Sequence, residues 1–243
     1  MFRLTRRQWL RRVLPALIAG GLGTGGYLRF LEPHWFQVHE EKLSLGFSHL
    51  QSPLRLLHLS DLHASPEVSY DLIEKGIDLG IALQPELICI TGDFITNKLT
   101  GRDRYVEILK KLSQTAPCFA CLGNHDGSSW SGRHGGYRDH TVVADLLRAA
   151  GVRLLFNEKA LFKRADGTGI QIAGLGDLWS EESRPGKILT KASPTSADEP
   201  TIVLSHNPDS KVNLARYQWD LMLCGHTHGG QLVVPIFGWT PFA

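Results

Sequence analysis

Five apolar runs in this chain each end abruptly in residues of the kind that hold metal ions. Leu54–Leu59 stops at Ser60-Asp61-Leu62-His63, and Leu87–Ile90 stops at Thr91-Gly92-Asp93. Cys118–Leu122 stops at Gly123-Asn124-His125-Asp126, Thr201–Leu204 at Ser205-His206-Asn207, and Trp219–Cys224 at Gly225-His226-Thr227-His228. Short apolar runs bounded by such signals read as buried strands. In alternating strand–helix proteins the strand ends gather along one sheet edge, where sites form. A single Asp or Asn after a strand is an ordinary turn residue. Five tips of one kind form a constellation. They supply carboxylate, amide oxygen and imidazole, a mixture suited to zinc, iron or manganese. There are enough candidate ligands for two divalent ions with a carboxylate between them.

The segments between the strands read as helices and turns. Ser69 is placed to cap a helix running to about Ala82, with Leu72, Ile73, Ile77 and Ile81 on one face. A second helix is expected from about Arg102 to Leu112, and a third from about Asp139 to Ala150, closed by Gly151. Gly127–Gly136 reads as a glycine- and serine-rich loop. Val152–Phe156 reads as a strand, and Leu161–Arg164 with Ile170–Ala173 as a hairpin about Asp166-Gly167. The alternation Val38, Glu40, Lys42, Leu43 predicts an opening strand, and Ser180–Pro200 a polar surface loop. The fold class is α/β, without internal repeats.

A hydrophobic content of 42% over 243 residues can bury a full core and excludes a disordered chain. The formal net charge of +2 is unevenly placed. Arg3, Arg6, Arg7, Arg11 and Arg12 precede the first acid, Glu32. The remainder is mildly acidic, so no nucleic-acid-binding surface is indicated. Thr5-Arg6-Arg7-Gln8-Trp9-Leu10-Arg11 followed by a glycine-rich apolar stretch resembles a twin-arginine export signal, with an aromatic where phenylalanine is usual. Without a clean cleavage site, residues 1–30 are expected to serve as signal or membrane anchor. Residues 31–52 then connect to the main domain, 53–243. Cys118 and Cys121 form a C-x-x-C, but on a strand residues three apart face opposite ways. Together with Cys89 and Cys224 they read as small core residues.

Taken in order, Asp61-Leu62-His63, Gly92-Asp93, Gly123-Asn124-His125-Asp126, His206 and Gly225-His226-Thr227-His228 resemble the motif series of the calcineurin-like metallophosphoesterase family. The resemblance spans about Pro53 to Gln231. It implies a four-layer αββα sandwich and a dinuclear metal centre. Asp61, His63 and His228 would hold one ion; Asn124, His206 and His226 would hold the other; Asp93 would bridge them. His125 would sit beside the substrate phosphate as the catalytic histidine. The implied chemistry is attack by a two-metal-activated hydroxide in line with the leaving oxygen of a phosphodiester.

Gly229-Gly230-Gln231 and the arginine-rich start resemble a branch of exported or membrane-associated phosphodiesterases. A phosphodiester or phospholipid-like substrate and a periplasmic or outer-face location follow as expectations, with the export machinery as a partner. Lipid-directed members imply a second reading, hydrolysis of UDP-2,3-diacylglucosamine in lipid A biosynthesis at the cytoplasmic face. A non-catalytic metal-binding relative is a third. The family continues beyond this motif with strands that close the second sheet, so a chain ending at Ala243 reads as truncated there. Asp126 is expected either to orient His125 or to be a turn carboxylate. His58 is expected in the core, and His134 and His140 in solvated loops. Gly176–Trp179 reads as a strand-end turn or a neighbour of the site.

Overall fold

The computed structural model describes residues 23, 26–27, 31, 34–45, 52–191 and 199–228. The chain divides into two units, Met1–Glu41 and Lys42–Ala243. The export-signal reading falls almost wholly outside the described residues, as do Gly229-Gly230-Gln231 and the tail to Ala243. In the first unit, residues 23, 26 and 27 are helical. No strand forms over residues 35–45. The alternation there has nothing to bury against: Val38 and Leu43 are both exposed.

The second unit begins with four parallel strands in the order β1 (Leu56–Leu59), β2 (Leu87–Thr91), β3 (Cys118–Cys121) and β4 (Arg153–Leu154). Helices α1 (Tyr70–Ile81), α2 (Arg102–Thr115) and α4 (Thr141–Ala149) connect them, and the short α3 (Ser129–Arg133) lies between β3 and α4. Because the strands follow in sequence order and parallel crossovers share one hand, the connecting helices fall on one face. The Ser69 hydroxyl accepts the Leu72 N–H at the start of α1, as its position in sequence predicts. Helix α3 interrupts the stretch read as a loop. Its cap is Ser128, whose hydroxyl accepts the Ser131 N–H.

The second sheet has the order β5 (Glu158–Lys163), β6 (Gly169–Gly174), β7 (Thr201–Leu204) and β8 (Leu221–Leu223). β5 and β6 form the expected antiparallel hairpin, and β7 and β8 add in parallel. Alternation sorts the side chains of both sheets. Ile88, Ile90, Cys118 and Ala120 pack towards the helices, while Leu87, Cys89, Phe119 and Cys121 face Ile170, Ile172, Ile202 and Leu204 of the second sheet. Cys118 and Cys121 therefore serve different core layers. Cys89, Cys118 and Cys121 are buried, whereas Cys224 is partly exposed.

The outer face of the second sheet carries Ala173, Val203 and Met222. Ile188, Leu189, Leu214 and Tyr217 cover them. These come from a 3-10 turn at Pro185–Lys187 with its following residues, and from α5 (Ser210–Leu214) with its following turn. The sandwich is thus α/β with helices outside two sheets, but its second outer layer is thin. The segment read as a polar loop contributes apolar packing through Ile188 and Leu189.

Ile172 is fully buried between the two sheets. Ile172→Ala should cost about 2–5 kcal/mol of stability in denaturant unfolding. Val212→Ala, at a 72% exposed position, should change it by less than about 0.5 kcal/mol.

Candidate metal centre

All five polar tips meet at the C-terminal ends of strands, but they come from two sheets rather than one. β1, β2 and β3 deliver Asp61, His63, Asp93, Asn124 and His125; β7 and β8 deliver His206, His226 and His228. Backbone hydrogen bonds continue past the strands and fasten these loops together. Asp61 N–H donates to Gly92 O (3.0 Å), His63 N–H to Asp93 O (2.8 Å) and Gly225 N–H to His206 O (3.0 Å).

Among the described residues, eight non-glycine positions have left-handed φ, and five are Asp61, His63, Asp93, His226 and His228. Each costs about 1 kcal/mol or more, and such strain persists only where the surroundings over-determine it. Two glycines let the loops approach. A Cβ on Gly123 would strike the Asp93 carboxylate, and one on Gly225 would strike Ser60 and Asp61.

Side-chain atoms of Asp61, His63 and His228 lie within 4.8 Å of one another, as do those of Asp61, Asp93 and His206. His228 Nε2 is 3.3 Å from Asp61 Oδ1 and 3.2 Å from His63 Nε2. Asp93 Oδ2 stands between the groups, 3.3 Å from His63 Nε2 and 3.2 Å from His206 Nε2. His226 Nδ1 faces His206 Nε2 at 3.2 Å, and His226 N–H donates to both Asp61 oxygens (3.2 and 3.0 Å). Asn124 is 1% exposed and its Oδ1 has no hydrogen-bond partner. An orphaned buried amide oxygen is unfavourable on its own. A cation bound among these nitrogen and oxygen donors would pair with it, so the donor set fits a divalent metal.

Second contacts set the tautomers. His206 Nδ1 lies 2.7 Å from Thr91 O and must donate its proton there, which leaves Nε2 facing Asp93. His63 Nδ1 lies 3.3 Å from Thr96 Oγ1. Burial lowers the pKa of His63 and of His226, which favours the neutral, ligating form. At His206 burial opposes the charge, but the contact with Asp93 outweighs it and raises the pKa to about 9. Burial also opposes the charge on Asp93, and His206 and His63 more than compensate, holding it below the usual carboxylate range.

His125 is also within 4.8 Å of His63 and Asp93, so proximity alone does not separate it from the ligands. Its Nδ1 donates to Thr96 O at 2.5 Å and its N–H donates to Asp93 Oδ1 at 3.0 Å. Asp126 does not orient the His125 ring. It is fully buried and accepts the N–H groups of Asp93 (2.7 Å), Phe94 (2.7 Å), Gly123 (2.9 Å) and Ile95 (3.4 Å). It therefore pins the loop after β2 to the loop after β3. Burial and the nearby Asp93 push its pKa up to about 8, against the N–H groups that favour the ionised form.

His58 is partly buried, with Nε2 2.8 Å from Thr91 Oγ1. His140 packs on Phe156 (4.6 Å) and joins none of the ligand groups. His134 is exposed and stacks on Trp130 at 4.0 Å. Sequence reasoning passed over Trp130, which touches His125 (4.8 Å) and Trp179 (5.7 Å). Trp179 in turn meets His226 edge-on at 4.2 Å, so Gly176–Trp179 does border the site. A large aromatic inside the glycine-rich stretch after Gly123-Asn124-His125-Asp126 was the only available signal for Trp130.

The calcineurin-like phosphoesterase family profile matches residues 54–230, and the chain belongs to that family. It is accordingly a metal-dependent hydrolase of phosphoesters. It is 37% identical to phosphodiesterase YaeI of Escherichia coli over 99% of this chain and 83% of that protein. It is 32% identical to the metallophosphoesterase YkuE of Bacillus subtilis, over 98% of this chain and 82% of that one. It is 28% identical to the UDP-2,3-diacylglucosamine pyrophosphatase LpxG of Chlamydia trachomatis, over 95% and 79% respectively.

Replacing Asp126 with Asn puts an NH2 group against backbone donors and leaves buried N–H groups unpaired. Asp126→Asn should lower stability by about 2 kcal/mol or more in denaturant unfolding. It should also weaken manganese binding in calorimetry, because Asp93 loses its anchor.

Proposed function

We propose that the chain hydrolyses phosphodiesters at a dinuclear centre. Asp61, His63 and His228 hold one divalent cation, Asn124, His206 and His226 hold the other, and Asp93 serves both. The observation that carries this reading is the position of Asp93 Oδ2, about equally far from His63 Nε2 and His206 Nε2 (3.3 and 3.2 Å). Manganese, iron or zinc suits this mixture of oxygen and nitrogen donors. Bound there, the cations supply Lewis acidity to the phosphoryl oxygens and lower the pKa of water.

The chain's own residues do the remaining work. Thr96 O fixes the Nδ1 proton of His125 and leaves Nε2 as the ring nitrogen available to a phosphate oxygen. When the ring carries a second proton, Nε2–H donates to a phosphate oxygen, stabilising its charge or passing that proton to the leaving oxygen, a contribution of about 10²–10⁴-fold. The Asp93 carboxylate is held twice: Oδ1 accepts the His125 N–H, and the Asp93 N–H donates to Asp126. Its position is therefore coupled to that of His125.

Likeness to YaeI supports the diester class, and likeness to LpxG supports a lipid-linked diphosphate as the second candidate substrate. We place the protein outside the cytoplasm or on the outer membrane face, from the twin-arginine-like Thr5–Arg11 stretch. No helix among the described residues is long and apolar enough to cross a membrane.

With manganese, the purified chain should cleave an aryl phosphodiester. His125→Ala should lower kcat about 10²–10⁴-fold, and Asp93→Asn should lose activity together with metal. Equal turnover by wild type and Asp93→Asn would sink the dinuclear reading. The location is tested separately by cell fractionation. The double substitution Arg6→Lys with Arg7→Lys should retain the protein in the cytoplasm, and an unchanged distribution refutes the signal.

A further inference from the structure

Two tryptophans from different loops form one wall beside the metal centre. Trp130 is on α3, after β3; Trp179 follows β6 in the second sheet. Their ring centroids are 5.7 Å apart with planes at 43°, so they touch and leave no slot between them. The wall is tied to the centre at both ends. Trp130 packs against His125 at 4.8 Å, and Trp179 against His226 at 4.2 Å and 90°.

The two indoles are not equally available. Trp130 is partly buried, and the stacked His134 ring takes one of its faces. Trp179 is 47% exposed. Among the described residues from Lys42 onward, no other Phe, Tyr or Trp is exposed. Trp130 therefore backs the wall, and Trp179 presents its surface.

We infer that Trp179, backed by Trp130, is a stacking platform for a planar aromatic group carried on the phosphate, and so determines specificity. The inference rests on the phosphodiester reading above. A phosphate beside His125 and His226 places its attached group next to the two indoles, since each indole touches one of those histidines. The wall's neighbours are rings: His125, His134 and His226. An offset stack on such a surface suits a flat ring better than an aliphatic chain, which would gain more from a groove of branched apolar side chains. Base-to-aromatic stacking of this kind tolerates different rings. An aryl group and a nucleobase share the required chemistry.

The test uses the full chain loaded with manganese and four non-hydrolysable probes: methylphosphonate, hexylphosphonate, phenylphosphonate and a nucleoside 5′-methylenephosphonate. Affinities come from calorimetry, with tryptophan fluorescence as a second readout. Phenylphosphonate should bind about tenfold more tightly than methylphosphonate, and hexylphosphonate should gain less than phenylphosphonate. Trp179→Ala should remove the phenyl advantage, read as the ratio of phenylphosphonate to methylphosphonate affinity within the same variant, whereas Trp179→Phe should keep most of it. A nucleoside probe that exceeds phenylphosphonate only when Trp179 is present identifies the ring as a base; equal binding identifies a simple aryl group.

A phenyl advantage that survives Trp179→Ala overturns the platform while leaving the metal centre standing. A larger gain for hexylphosphonate overturns the preference for a flat ring. If wild type binds none of the probes, the dinuclear reading falls and the platform with it.

Discussion

The centre depends on keeping a carboxylate, Asp93, ionised in a nearly waterless place between two sheets. Burying a charge is expensive unless it is paired and hydrogen-bonded. The chain meets that condition locally. His206 and His63 face one oxygen of Asp93, and the His125 N–H faces the other. Removing the pairing would leave an uncompensated buried charge, and the loops carrying those partners would lose their reason to converge. Hydrogen bonds to charged groups, worth about 1.5–3 kcal/mol each, also help offset left-handed backbone here: those to Asp93 at Asp93 itself, and the His226 N–H to the Asp61 carboxylate at His226 and Asp61. Strain and charge are balanced within one set of residues.

Asp126 has the matching role a layer deeper. It binds no ligand group of the centre, and its oxygens gather backbone donors from the ends of two strands. Tyr105 of α2 adds a further tie by donating its hydroxyl proton to Phe94 O at 2.8 Å. The helix layer thus reaches the loop that carries Asp93. Rigidity at the centre is built from backbone hydrogen bonds and not from side-chain packing alone, which suits a site that must hold ligands closely in place.

Much of this was legible in the chain. Strands β1, β2, β3, β7 and β8 and helix α1 follow from apolar runs and a capping serine, because local patterning and burial agree there. Asp61, His63, Asp93, Asn124, His125, His206, His226 and His228 stand out by their places at strand tips, while the division into seven ligands and a separate His125 rests on the family resemblance. Legibility failed where long-range packing decides the outcome. Val38–Leu43 alternates like a strand but finds no neighbour. Ser129–Arg133 forms one helical turn inside a glycine-rich stretch because Ser128 caps it. The polar segment after Ser180 hides Ile188 and Leu189, which cover a sheet that only the fold reveals. Asp126 looked like a turn residue because nothing in its neighbours announces four distant or backward-reaching N–H donors.

The two groups of ligand atoms are not physically equivalent, and the difference follows from which residues each one uses. Asp93, Asn124 and His206 are each at most 2% exposed, and Thr91 O holds the His206 ring. His63 and His228 lie further out; the His228 side chain is 31% exposed and its backbone is left-handed. A cation at the deep group would shed more water and find ligands already fixed. One at the outer group would keep closer contact with solvent and lean on a histidine at the end of β8. Asp93 stands between the groups, 3.3 Å from His63 Nε2 and 3.2 Å from His206 Nε2, so charge added at one would be felt at the other through it. On the proposed dinuclear reading, this graded exposure would let the deep position hold its cation more firmly and the outer one exchange more readily.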